Sequence, residues 1–352
     1  MNVSQQLGKW YNIYKRILPW REHPNPYHIW LSEIILQQTR MNQGLKYYLR
    51  FIEKFPTIQV LASSSVEDVL IQWQGLGYYA RARNLHKAAN CIVHDFKGQF
   101  PEDYNAIRQL PGVGEYTAAA IASLAFNMSY PAIDGNVYRV LARLFGIYTP
   151  IHSSMAKKDF YQAAMEIMDY TNPGKHNQSM IELGALICLP KKPNCKECPI
   201  AEACYAFQKK ITDELPVRKK KQKLVDRYFY YLVIHKGNML YIKQRGPDDI
   251  WAMLYDFPLI ETKKVIPISQ LFKNESWVNI FLDVTPKVKN FSGEYIHKLS
   301  HQVLHTWFLE IEIHTSPSIH ALEISDQELD EYPFPELIRR YLKDRTHINY
   351  VL

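Results

Sequence analysis

Cysteine is nearly absent from this 352-residue chain: it has five, and four of them fall in one short run, CLPKKPNCKECPIAEAC. Long hydrophobic runs are missing too. No apolar stretch is long enough to span a bilayer, so no membrane partner is expected. The first twenty residues lack the continuous apolar segment of a signal peptide. They space Leu7, Trp10, Tyr11, Tyr14, Ile17 and Leu18 like one face of a helix, and a cytoplasmic location is expected, nucleoid-associated if the source is bacterial. Internal repeats and low-complexity tracts are also lacking. Acidic charge is in deficit, and the net charge of +7 favours an anionic partner, nucleic acid among them.

A content of 47% hydrophobic and 22% charged residues is that of an ordinary soluble protein, and the length suits two domains. Residues 1–212 carry mostly helical spacing. In NVYRVLARLFGIY, for example, Val137, Val140, Leu141, Leu144 and Phe145 share a stripe. Residues 213–226 are rich in charge, contain Pro216 and lack apolar periodicity, as an exposed connector does. Residues 227–352 read as α+β. RYFYYLVIHKGNMLYIKQR gives two β-rich runs about a turn, TWFLEIEI alternates, and PFPELIRRYLKD closes as a helix.

The C-x6-C-x2-C-x5-C spacing of Cys188, Cys195, Cys198 and Cys204 in a reducing compartment points to four thiolates on one metal centre. A single C-x2-C with longer flanking gaps, followed by Pro199, suits an iron–sulfur cube better than zinc, which usually joins two C-x2-4-C pairs. Spacing alone leaves zinc open. Four protein ligands leave no open coordination position, so a structural role is expected, with Lys191 and Lys192 on the enclosed loop displayed towards phosphates. Cys91 reads as a core residue.

In NAIRQLPGVGEYTAAAIASLAF, two helical patterns flank Leu110–Gly114. Gly112 and Gly114 permit a tight turn that brings backbone N–H groups to a helix N-terminus, an anion-binding geometry, although a plain αα-hairpin turn has the same local sequence. LPGVG, then IDGNVYRV, then the cysteine run together resemble the helix-hairpin-helix DNA glycosylases of the endonuclease III superfamily. Within it, SEIILQQTR and GLGYYARARNLHKAA are similar to the adenine DNA glycosylases of the MutY type.

The resemblance implies a multidomain fold: an all-α helix-hairpin-helix glycosylase domain over 1–212, with the hairpin at 105–126 and a [4Fe–4S] cluster loop at 188–204, and a Nudix-like domain over 227–352. It implies a monomeric enzyme of base excision repair acting on double-stranded DNA that contains adenine opposite 8-oxoguanine, and also A:G, and leaving an abasic site. Cleaving a purine–deoxyribose bond needs a proton on the leaving base and negative charge beside the cationic sugar. Glu33 and Asp134 fall on the family's catalytic pair, as acid and as stabilising anion, with Tyr116 and Asn136 beside them. Among apolar neighbours Glu33 should have a raised pKa. Local sequence alone allows a plainer account of each: Glu33 as a first-turn acid after Ser32, Asp134 as an N-cap, Tyr116 as an exposed residue of the first helical turn.

Related glycosylase-lyases carry a lysine where this chain has Tyr116, so a monofunctional enzyme is implied, with Tyr116 hydrogen-bonding near Asp134. Some relatives also have a lysine where this chain has Tyr138. By the same resemblance Trp20, Arg21, Leu36 and Gln178 line the adenine pocket, while Gln38, Thr39, Tyr78 and Leu85 probe the gap and the opposite base. For Leu36 and Leu85 ordinary helix core is the competing account. The C-terminal domain lacks the acidic R-E-x2-E-E core of a working Nudix hydrolase. In KLSHQVLH, Leu299 replaces the phenylalanine of the family's lesion-sensing Phe-Ser-His, while Ser300 and His301 remain; a solvated strand histidine is the alternative for the latter. Two rivals share much of this pattern: a glycosylase-lyase for oxidised pyrimidines, and a DNA-binding iron–sulfur protein with a vestigial acid pair.

Overall fold

Up to Gln208 every regular element among the described residues is helical, as the spacing through residue 212 requires. The computed structural model describes residues 2–22, 25–151, 153–217 and 224–348. Part of the expected 213–226 connector and residues 349–352 of the second domain lie outside them. No helix among the described residues is long and apolar enough to cross a membrane.

The chain divides into two compact units, one of Met1–Ser64 with Asn84–Lys220 and one of Ser65–Arg83 with Lys221–Leu352. The division departs from a boundary at 212. Residues 65–83 group with the C-terminal half because polar side chains tie them there: Arg83 Nη1 donates to the Ala252 carbonyl at 2.7 Å and Gln74 Nε2 to that of Tyr332 at 3.3 Å.

In the helical unit, Val3–Tyr14 buries Leu7, Trp10 and Tyr11 against the Gly135–Phe145 and Pro173–Leu186 helices. The expected apolar face is interrupted after Trp10 and Tyr11: Tyr14 and Ile17 are exposed as the helix ends at Tyr14, while Leu18 beyond it is buried. Glu182 accepts from the Arg16 backbone N–H at 2.9 Å, which holds the chain after Tyr14 in a different course. The Val137, Val140, Leu141, Leu144 stripe is buried as read, and its helix closes on Gly146 at φ +68°, a left-handed residue that glycine adopts without strain. Cys91 is half-buried on the Ala80–Asp95 helix.

The second unit is built on a mixed eight-stranded sheet of β1 (Val225–Lys236), β2 (Met239–Gln244), β3 (Tyr255–Asp256), β4 (Leu259–Thr262), β5 (Lys287–Phe291), β6 (Tyr295–Lys298), β7 (Gln302–Glu312) and β8 (Leu322–Ser325). β1 runs parallel to β7 in the centre, pairing Tyr230 with Trp307, and turns through Gly237 into antiparallel β2. Its residues Phe229–Ile234 are buried on both faces. Phe229, Tyr231 and Val233 pack with Leu337, Ile338 and Tyr341 of the closing Glu336–Ile348 helix; Tyr230, Leu232 and Ile234 pack with Leu271 and Trp277. The alternation in TWFLEIEI holds for Leu309, Ile311 and Ile313. Phe308, assigned to the wet face by simple alternation, is buried on the opposite side against Tyr341, because both faces of the sheet are covered.

Candidate active site

Six helices of the first unit converge on one cavity of about 230 Å3. It is lined by Trp20 and Arg21, by Glu33 and Leu36, by Tyr116, by Asp134 and Asn136, and by Gln178 with Ile181 and Ala185; Arg16, Thr39 and Met41 complete it. All four expected catalytic residues and all four expected adenine-pocket residues therefore meet in one place.

Glu33 belongs to the Pro26–Leu36 helix, which starts at Pro26 with Asn25 as its cap: the Tyr27 N–H donates to Asn25 Oδ1 at 2.8 Å. The first-turn account of Glu33 is thereby overturned, since Glu33 sits in the second half of that helix. It is 7% exposed. Burial pushes its carboxyl up to about 7, with a hydrogen bond from Tyr116 opposing the rise and the Asp134 charge adding to it. Tyr116 is half-buried. Its hydrogen bond goes to Glu33, with the Asp134 carboxylate nearby, and its own pKa is raised by burial and by both carboxylates.

Asp134 is the N-cap of the Gly135–Phe145 helix: its Oδ1 accepts from the N–H groups of Asn136 at 2.9 Å and Val137 at 2.8 Å, and its Oδ2 accepts from Asn136 Nδ2 at 2.8 Å. The local account is correct, and the cap also faces the cavity. Burial raises Asp134 above its ordinary value, and those three donors and the Arg139 charge oppose the rise without cancelling it. Burial raises both carboxyls, and what distinguishes them is the set of donors that Asp134 has for its anion and Glu33 lacks.

Several residues that brace this pair are not among the expected site residues. Arg139 donates to Asn136 Oδ1 at 2.9 Å and to the Cys188 and Gly184 carbonyls at 2.6 Å each. A Cβ on Gly184 would stand 2.6 Å from Asn136 Cβ, so glycine permits this close approach of two helices. Asn177 holds the loop before Asp134, accepting from the Ala132 N–H at 3.1 Å and donating to the Tyr130 carbonyl at 2.8 Å. Glu182, wholly buried, takes a bidentate grip from Arg16 at 2.7 Å on each oxygen and a further bond from Arg21 Nη2 at 3.1 Å. Burial alone would raise Glu182, yet the two guanidinium groups outweigh it and hold the carboxyl at about 2. Gln178, Glu182 and Ala185 fall at helical spacing on one side of Pro173–Leu186, a periodicity visible in the sequence.

Removing the Glu182 charge should therefore be costly. Glu182→Ala leaves two arginines unneutralised and should lower stability by about 3–5 kcal/mol, measured by urea unfolding. Because its folded pKa is depressed, the Glu182 contribution is full above the unfolded value of 4.5 and is lost as pH falls through about 2.

Other expected residues separate into reachable and unreachable groups. Gln38, at φ 56°, is exposed just after the catalytic helix, and Tyr78, at φ 49°, is exposed in the other unit. Leu85 is 1% exposed, so the core account of it stands and it presents no side chain to a duplex here. Gly112, at φ +76°, and Gly114, the N-cap of Glu115–Phe126, are exposed in the turn after Tyr104–Gln109, matching the hairpin expected over 105–126. Ser300 and His301 occupy the exposed β6–β7 turn, with Ser300 Oγ 3.2 Å from His301 Nδ1; His301 is a turn residue, not a strand residue.

Cys188, Cys195, Cys198 and Cys204 line one small cavity together with Arg143, which donates to Cys188 Sγ at 3.3 Å. Among the described residues no group of three or more His, Cys, Asp or Glu that could hold a metal ion is found. Burial raises the Cys195, Cys198 and Cys204 thiols, Cys198 to about 12, and the neighbouring cysteines add to the rise. Four thiols lining one cavity beside a buried arginine suit a cationic group that keeps them deprotonated. Lys191 and Lys192 point outward from the enclosed loop.

The profile of the HhH-GPD superfamily of base excision DNA repair proteins matches residues 31–164, and that of the NUDIX domain matches 229–344. The adenine DNA glycosylase of Buchnera aphidicola subsp. Schizaphis graminum is 36% identical over 86% of this chain and 85% of its own length. The human adenine DNA glycosylase is 40% identical over 59% of this chain and 40% of its own length. Among solved structures, a thermostable thymine-DNA glycosylase superposes with a TM-score of 0.54 at 28% identity, covering 58% of this chain and 95% of that one. With Glu33, Tyr116 and Asp134 gathered at one cavity and relatives matched over most of its length, the chain belongs to the adenine DNA glycosylase family of base excision repair enzymes.

Proposed function

We propose that this enzyme is monofunctional and removes adenine opposite 8-oxoguanine, and opposite guanine, leaving an abasic site. The observation that carries the reading is the meeting of Glu33, raised to about 7, with Asp134, held by three hydrogen-bond donors, at a single cavity. A flipped-out nucleoside would place its base against Trp20, Leu36 and Gln178. Glu33 gives its proton to a ring nitrogen of adenine as the bond from the base to C1′ breaks. Asp134 then faces the oxocarbenium ion, water adds at C1′, and the Glu33 carboxylate takes up the proton the water releases. Tyr116 orients Glu33 through its hydrogen bond and supplies no amine, so no Schiff base forms at that position.

Adenine is an undamaged base, so selection falls to the opposite strand, where Gln38, Thr39 and Tyr78 of the helical motifs and Ser300 and His301 of the β6–β7 turn are the reading groups. Cys188, Cys195, Cys198 and Cys204 would hold a [4Fe–4S] cluster, whose role is structural: it keeps Lys191 and Lys192 presented to phosphates. Purified protein should contain iron and acid-labile sulfide in equal amounts, and Cys198→Ser should lose both; zinc without sulfide would contradict the cluster.

Since the acid must be protonated, the single-turnover rate of adenine release should be level below about 7 and decline about tenfold per pH unit above it. A rate that instead climbs through that range would assign Glu33 to base catalysis. The function itself is tested on duplexes with A:8-oxoguanine, A:T and C:8-oxoguanine. Adenine should be freed from the first alone, with strand breaks only after alkali. A borohydride-trapped protein–DNA adduct in high yield would instead favour the lyase.

A further inference from the structure

A second cavity, of about 330 Å3, adjoins the catalytic one: Trp20, Arg21 and Gln178 line both. Its remaining lining includes Tyr11, Asn12, Lys15, Asn127, Asn172 and Lys175, none of which has a part in the chemistry described above. Asn12, Lys15, Asn127 and Asn172 are exposed, so this cavity opens to solvent at that rim.

The shared wall is unusual in its hydrogen bonding. Gln178 is 5% exposed, and its Oε1 is buried without a partner. The Arg21 guanidinium is held through its Nη atoms by Glu182 and by the Arg16 carbonyl, while its Nε is likewise buried without a partner. A buried acceptor and a buried donor left unsatisfied in one wall point to a ligand that brings both complements. A 6-aminopurine does so, with an exocyclic amine as donor and ring nitrogens as acceptors. The Gln178 carbonyl oxygen is thus not tied to any other part of the wall.

We propose that this second cavity is the exit for the excised base: free adenine passes the Gln178 side of the wall and leaves through the Asn12 rim while the abasic duplex remains bound. The inference rests on the adenine-excision reading above. A nucleotide flipped from a duplex enters the catalytic cavity from the DNA side, so bound product DNA closes that entrance behind the base. The second cavity has the volume of an ordinary ligand site, roughly 300–1,000 Å3. The Tyr11 and Trp20 rings offer flat apolar surface, and the Lys15 and Lys175 ammonium groups and the Asn12 amide offer donors to the acceptor-rich purine edge.

The test uses the full chain, at less than one equivalent over an A:8-oxoguanine duplex carrying labelled adenine. Alkali-labile abasic sites and adenine passing an ultrafilter that retains enzyme and duplex are followed together. In the wild type, filterable adenine should appear in the same burst as abasic sites. Asn12→Trp, at an exposed helix position on the rim, should leave the abasic-site burst unchanged and lose most of the filterable adenine burst, which then follows slow duplex release; Asn12→Ala should behave as wild type. Adenine lagging behind abasic sites in the wild type, or an unchanged filterable burst in Asn12→Trp, would overturn the exit. The wild-type comparison stands even if the tryptophan variant does not fold. Failure to form abasic sites on any duplex would overturn adenine excision itself.

Discussion

Glu33→Gln should lower the single-turnover rate of adenine release by about 10²–10⁴-fold, the usual contribution of a positioned general acid. Glutamine keeps the shape and a hydrogen-bonding group for Tyr116 but has no proton to give, so duplex affinity should change little. The same substitution should stabilise the fold at neutral and alkaline pH. The folded Glu33 carboxyl lies near 7 and the unfolded one near 4.5, so between those values the native state binds more protons. Stability therefore falls as pH rises from about 4.5 to about 7. That loss, at about 1.36 kcal/mol per pH unit, amounts to roughly 3 kcal/mol at alkaline pH, of which a neutral glutamine should recover a substantial part. An inactive variant with a higher Tm is the joint signature of a buried acid. A variant that still frees adenine, or one both inactive and less stable, contradicts that description.

Asp134 requires a different experiment, because it is a helix cap and a cavity carboxylate at once. Asp134→Asn keeps a side-chain oxygen for the Asn136 and Val137 N–H groups, and asparagine caps helices about as well as aspartate, so stability should move by less than about 1 kcal/mol. The negative charge facing the sugar is lost, and the rate of adenine release should drop by about 10²–10³-fold, the scale seen when one electrostatic stabiliser is removed. Asp134→Ala should lose a similar factor in rate and, in addition, about 0.5–2 kcal/mol of stability from the missing cap. If capping were the sole task of Asp134, asparagine would keep the activity that alanine loses.

Those two residues also show what sequence can and cannot disclose. A carboxylate before a helical stripe reads as a cap, and it is one; that it also faces a cavity depends on Glu33 and Tyr116, 101 and 18 residues away along the chain. Only a family pattern links such distant positions in advance. Local spacing sufficed for the Gly135–Phe145 stripe, the β1–β2 turn and the closing helix, where burial follows one period. It misjudged Tyr14 and Ile17, because the claim of Glu182 on the Arg16 backbone is a tertiary contact, and Phe308, because helices cover both faces of the sheet. Leu85 was ambiguous for a related reason: an apolar residue on a helix has the same signature whether it meets core or ligand. Residues 65–83 sit with the C-terminal unit through side-chain bonds to backbone carbonyls, which no pattern of hydrophobicity records.

The most direct measurement is an infrared titration of the two carboxyl groups, taking difference spectra between the wild type and Glu33→Gln and between the wild type and Asp134→Asn. Glu33 should show a protonated carboxyl band that disappears with a midpoint near 7, while Asp134 is already ionised there. A Glu33 that ionises at its ordinary value of 4.5, or an Asp134 still protonated where Glu33 is charged, would contradict the assignment of acid and anion on which the chemistry rests.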